Sequence, residues 1–243
     1  METMEADDAQ AVRQMAQANG SRAALYRTLG FYYLHELSQE QIEALAKADL
    51  AHVEADDDLA REGYADMAAY LSKLTTGTRQ ELACDYAHTF LAAGNYETFA
   101  ATPYESVFTS ETGLMMQEAR DEVYKMYCTE HMQPNEKLQI PEDHLSFEFE
   151  FMALLIERMN EALDAGDCAQ ALHYARLQRK FHREHQLNWI DDFCDTVDDV
   201  AETVFYAGLA KVTRGFVHSE TAVIDDEAAF AEELDRAYGA EAA

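Results

Sequence analysis

PEDHLSFEFEFMALLIERMN, residues 141–160, reads as a single long helix that is buried on most of its sides. Proline is pre-set for the first turn of a helix, and Glu142 and Asp143 directly after Pro141 complement the positive end of the helix. At about 100° per residue, Leu145, Phe149, Met152, Ile156 and Met159 form one apolar stripe, with Phe147, Phe151 and Leu154 as a second flank. Ser146, Glu150 and Glu157 make the polar face, and Asp143 is expected on that side. His144 and Glu148, four apart, fall between the apolar flanks, where they should meet each other or a third partner. Two readings follow for that pair: a hydrogen-bonded core pair, or two groups that touch a ligand.

Outward from this helix, all three prolines sit in two irregular segments. One is 129–141 (TEHMQPNEKLQIP), read as a hinge between an N-terminal lobe, 1–128, and a C-terminal lobe, 142–243. The other is 92–109 (AAGNYETFAATPYESVFT), which holds Gly94, Pro103 and four aromatics; so apolar a loop must pack on something or line a pocket. Val and Ile together number only 15 while alanine is abundant, so helix formers dominate and the fold class is all-α. Caps at Ser38 with Gln41 and at Thr78 with Glu81 mark two helix starts. Helices are expected at roughly 21–35, 39–48, 56–74, 79–91, 111–127, 142–164, 168–184, 189–214 and 226–238, a compact bundle of about nine.

The chain has 243 residues, 48% hydrophobic, and can bury a real core despite a formal charge of −29. With 47 acidic against 18 basic residues, its field repels nucleic acid and anionic membrane and attracts cationic partners; solubility or a salt-adapted host is the plainer explanation of the same acidity. The N-terminal 17 residues, with Glu2, Glu5, Asp7 and Asp8, lack the apolar run of a secretory signal, which points to a cytoplasmic protein. The longest apolar segment, 147–156, is interrupted by Glu148 and Glu150, so no membrane span is expected. Cys84, Cys128, Cys168 and Cys194 lack CxxC spacing and read as reduced thiols.

Catalytic and metal readings find little support. His173, His182, Glu184 and His185, or Asp85 with His88, could be assembled on paper into a metal site, but the paired Glu-x-x-His motifs of a di-metal bundle are missing. An HD-type phosphohydrolase would need His before Asp, and here Asp143 precedes His144. The run 191–202 lacks the central glycine of a calcium loop. Neither a P-loop nor GxGxxG nor GxSxG occurs.

Two ordered motifs give the chain a family resemblance. DYAHTFL followed by TPYESVF, with Tyr86, Phe90, Pro103 and Ser106, resembles the Tyr-x-x-x-Phe and Pro-x-x-Ser elements of the TorD/DmsD/NarJ redox-enzyme maturation chaperones. IPEDH, before the long helix, is similar to their Glu-Pro-x-Asp-His hinge motif, with Ile140 where the family has Glu. The resemblance implies a non-enzymatic, all-helical chaperone, without a metal or cofactor of its own, as a monomer or a lobe-exchanged dimer. Its partners would be the twin-arginine signal peptide and the apo form of a molybdopterin-dependent oxidoreductase. The peptide-binding residues it implies are Tyr86, Phe90, Pro103, Tyr104, Ser106, Asp143 and His144. A leader with two arginines and an apolar stretch asks for carboxylates beside an apolar groove. The rivals are a helical metal- or nucleotide-binding enzyme using His144 and Glu148, and an acidic adaptor for a folded basic protein.

Overall fold

The computed structural model describes residues 4–93, 100–133 and 138–239. Ten α-helices account for nearly all of the regular structure among them, and there is no strand. They are α1 (Ala6–Leu34), α2 (Gln39–Lys47), α3 (Asp58–Leu71), α4 (Thr78–Phe90), α5 (Glu105–Thr109), α6 (Glu118–Thr129), α7 (Leu145–Asp164), α8 (Cys168–Phe181), α9 (Ile190–Val200) and α10 (Val204–Tyr238). A π-turn, His182–Gln186, joins α8 to the approach of α9, and a 3-10 turn, Leu50–His52, precedes α3.

The all-α expectation holds, and α7 is the central buried helix: Phe149, Phe151, Met152, Leu155, Ile156 and Met159 have no exposure. Helix α1 lies along α7, α3 along α10, and α8 contacts both α7 and α10. The approach is close where glycine permits it: a Cβ at Gly30 would stand 3.2 Å from Ser146 O, and one at Gly63 would overlap Gly208 O and come within 2.8 Å of Val212 N. Aromatic rings fill the space between helices, with Tyr26 edge-on to Phe149 at 5.4 Å and to Phe216 at 4.7 Å. Helices on both sides of 129–141 thus share one core cluster, and a smaller cluster joins Val12 to Met159, Leu172 and Leu234.

Several boundaries differ from the sequence reading, each for a visible reason. Helix α1 begins at Ala6 rather than near 21: Asp7 and Asp8 suit its positive end, and Val12 is buried against the smaller cluster. The helix expected over 189–214 is broken at 201–203, where the buried Asp85 carboxylate accepts from Glu202 N (2.9 Å), Thr203 N (2.8 Å) and Thr203 Oγ1 (2.6 Å). A carboxylate from α4 therefore starts α10, a cap that no local pattern announces. Helix α10 then runs unbroken through the expected gap at 215–225. The Ser38–Gln41 capping box is present. Thr78 instead sits inside α4, its hydroxyl accepting from Thr75 N at 2.9 Å. Helix α6 begins at Glu118, after a turn, and the 92–109 loop contains the short α5. All four cysteines are free, Cys84 and Cys128 at the surface and Cys168 and Cys194 inside.

Candidate functional site

The two motif segments, forty residues apart in sequence, meet at one junction. The start of α7 and the start of α5 clasp each other through the backbone: Leu145 N donates to Pro103 O (2.9 Å) and Glu105 N to Asp143 O (3.0 Å). Tyr104 and His144 pair as an isolated bridge, with their rings edge-to-face at 4.9 Å. Asp143 Oδ2 accepts from Ser106 N at 2.9 Å, and Ser106 Oγ accepts from Gln117 N at 3.2 Å, so one serine ties α5 to both α7 and the turn before α6.

Asp143 was expected on the polar face, and it is fully buried. It precedes the helix, so its side chain follows the junction and not the 3.6-residue period of α7. Burial pushes its carboxyl above the ordinary range, partly offset by the hydrogen bonds from Ser106. An arginine cannot reach it without opening the junction. His144 does not pair with Glu148 either. As the N-cap of α7, its Nδ1 accepts from Ser146 N at 3.1 Å and lies 2.7 Å from Ser146 Oγ, which fixes the proton on Nε2. Burial, with a smaller contribution from nearby His35, lowers its pKa to about 3, so the ring is neutral.

Glu148 turns the other way, into a second buried set that the sequence did not reveal. Its Oε2 accepts from Trp189 Nε1 at 3.3 Å, and the same N–H donates to His185 O at 2.7 Å. Glu105, also buried, lies 3.0 Å from His185 Nδ1 and accepts from Asn188 Nδ2 at 2.6 Å. Burial, then the neighbouring Glu105 and Asp143 carboxylates, hold Glu148 protonated far above its ordinary value. Its Oε1 has no hydrogen-bond partner among the described residues, and the proton spares this buried group an unpaired charge. The π-turn at 182–186 is what aims His185 inward. No period-based reading finds this set, since Glu105, Glu148 and His185 come from three separate segments.

Tyr86 and Phe90, expected to line a groove, are core. Tyr86 Oη donates to Tyr33 O at 2.9 Å, and Phe90 packs between Tyr33 (5.5 Å) and Tyr206 (5.4 Å). They are 3% and 1% exposed, and Pro103 and Ser106 are buried as well. Of the seven residues, Tyr104 alone is half-buried, with His144 at its edge. Residues 94–99 of the aromatic loop, including Tyr96 and Phe99, and Pro134 of the hinge lie outside the described residues. Beside the junction, the turn before α6 carries Leu114, Met115 and Met116, 48 to 60% exposed. Met116 has a left-handed backbone (φ 64°) on the turn begun by Gly113. Among the described residues no group of three or more potential ligands is placed to hold a metal, and no helix is long and apolar enough to cross a membrane.

The family model described as nitrate reductase delta subunit matches residues 53–195, more than half of the chain, and spans both motifs and the junction. The chain belongs to the TorD/DmsD/NarJ family. Similar curated relatives are chaperone proteins TorD: that of Vibrio parahaemolyticus is 23% identical, over 88% of this chain and 99% of its own length. That of Vibrio atlanticus is 22% identical, over 86% and 97%. A Psychrobacter TorD is 23% identical, over 89% and 97%. As a member of this family the protein is a redox-enzyme maturation chaperone and not an enzyme, which removes the catalytic rival built on His144 and Glu148. The TorD/DmsD/NarJ motif residues supply the scaffold of the junction and the core: Ser106 and Asp143 hold the junction, His144 caps α7, and Tyr86 and Phe90 anchor α4 in the core.

Proposed function

We propose that this chaperone works in the cytoplasm, holding the twin-arginine leader and the apo form of a molybdopterin-dependent oxidoreductase during cofactor insertion and before export. One observation carries the reading: two motifs distant in sequence converge on a junction whose accessible rim, Tyr104 packed on the buried His144, adjoins exposed apolar surface on a chain of charge −29. Cationic and apolar chemistry in one client peptide matches that combination. In this reading Pro103, Ser106, Asp143, His144, Tyr86 and Phe90 act on the peptide by keeping the rim in shape, and Tyr104 touches it. The Leu114–Met116 turn receives apolar surface of the unfilled client, because methionine side chains re-pack readily against varied partners. The acidic-adaptor rival gives no role to the exposed apolar turn.

The experiment follows client maturation in cells that lack the chaperone, then in cells supplied with the parent or with Leu114→Ser/Met115→Ser/Met116→Ser. Cofactor content of the purified client should fall without the chaperone and be restored by the parent only. Full cofactor content without the chaperone contradicts the proposal.

A further inference from the structure

The chain has 10 methionines, and the fold treats two of them differently from the rest. Met67, Met152 and Met159 are buried. Met126 and Met132 pack against the main core cluster, and Met4 and Met15 against the smaller one. Among the described residues only Met115 and Met116 are exposed methionines, side by side on the turn before α6 with the exposed Leu114 next to them. Burial shields a thioether from oxidants in solution, so these two sulfurs are the reactive ones.

The pair is presented on a fixed frame. Gly113 N donates to Ser110 O (3.3 Å), Gln117 N to Ser106 Oγ (3.2 Å) and Gln117 Nε2 to Met115 O (3.0 Å), so the backbone on either side of the two methionines is tied down. Met116 itself has φ 64°, a left-handed conformation that glycine or asparagine usually takes. A long thioether stands there although the turn alone would be better served by glycine, and nothing in the chain covers it. The exposed thiols lie outside the turn, Cys84 on α4 and Cys128 near the far end of α6.

We propose that Met115 and Met116 are a reversible oxidation site, at which a peroxide converts both thioethers to sulfoxides and so makes the turn refuse apolar client surface. The proposal rests on the reading of the Leu114–Met116 turn as the client contact and adds a control to it. In each step the sulfur lone pair attacks one peroxide oxygen. The O–O bond breaks, an S–O bond forms, and the proton of the transferred oxygen passes to the leaving oxygen, which departs as water from hydrogen peroxide. Sulfur is oxidised by two electrons and the peroxide is reduced by two. A flexible apolar side chain becomes a polar one, whose oxygen must keep its water or find a donor, and apolar surface laid over it offers neither. The change is confined to an exposed turn, so the helical body keeps its packing, and a sulfoxide reductase reverses it.

The test treats purified full-length protein with hydrogen peroxide, maps the added oxygen by mass spectrometry, and titrates the treated protein with the leaderless apo catalytic subunit of its client. Met115 and Met116 should be oxidised roughly tenfold faster, or more, than Met67, Met152 and Met159, with an unchanged denaturation midpoint. Client affinity should fall by roughly tenfold or more. Dithiothreitol, which reverses disulfide and sulfenic acid formation at Cys84 and Cys128, should not restore it; methionine sulfoxide reductase should. In Met115→Leu/Met116→Leu, whatever its starting affinity, peroxide should leave client binding where it was. Equal oxidation of buried and exposed methionines overturns the site, and so does undiminished client binding by the oxidised parent. If the oxidised parent binds normally while Leu114→Ser/Met115→Ser/Met116→Ser binds weakly, the oxidation control falls and the client contact stands. If both bind as the untreated parent does, the turn is not a client surface and both readings fall.

Discussion

Replacing Glu148 by Gln tests the buried carboxylate set directly, because the folded chain keeps Glu148 protonated well above the ordinary value of 4.5 at which it ionises when unfolded. Between those two values folding takes up one proton. Stability from this group is therefore fully present below about pH 4.5 and is lost as pH rises toward the folded value, at about 1.4 kcal/mol per pH unit. Glutamine keeps the shape of the neutral acid, and its oxygen can still accept from Trp189 Nε1. It carries no linked proton. Urea midpoints of parent and Glu148→Gln should diverge as pH rises above about 5, the variant gaining up to about 1.4 kcal/mol per unit relative to the parent until Glu148 ionises in the folded chain. The difference between the two proteins cancels His144 and His182, whose pKa values burial lowers and which cost stability only in acid. A stability difference that stays constant with pH refutes the buried, protonated Glu148.

Asp85→Ala removes the acceptor of three bonds from 202–203 and one from Thr89, so urea denaturation should show a loss of about 3 kcal/mol, the range for charge-assisted bonds. Gly63→Ala drives a methyl into the α10 backbone at the Gly208 crossing and should cost about 1 to 3 kcal/mol or more by the same measurement. Asp143→Asn can still accept from Ser106 N; the change in stability should stay within about 1 kcal/mol and the salt slope of leader binding should not move, since the site is buried. Tyr104→Ala, at the half-exposed rim, should weaken leader binding with a smaller stability loss than the ~3 to 5 kcal/mol of a core aromatic such as Phe90, read from paired titration and unfolding curves.

Sequence period was enough for α7, where eight apolar positions from Leu145 to Met159 report burial on two flanks. It failed for the first half of α1, whose apolar residues are few and whose helix is held by Val12 on a small cluster. It failed again at 201–203, because the residue that starts α10 is Asp85, over a hundred positions away. Motif strings located the junction but not the burial of its members: Asp143 looks polar until Ser106 is seen to occupy it. Tyr86 and Phe90 carry the same spacing whether they line a groove or fill a core, and only the rings of Tyr33 and Tyr206 decide. Glu105, His185 and Trp189 assemble from separate segments, so their meeting with Glu148 had no local signal.

The most direct measurement is a calorimetric titration of the full-length protein with the client's twin-arginine leader beside a scrambled peptide of identical composition. The leader should bind at about micromolar strength, near −8 kcal/mol, and the scrambled peptide at least tenfold more weakly. Equal affinity for the two peptides would mean that net charge alone attracts them, and would contradict recognition of an arginine pair followed by an apolar stretch.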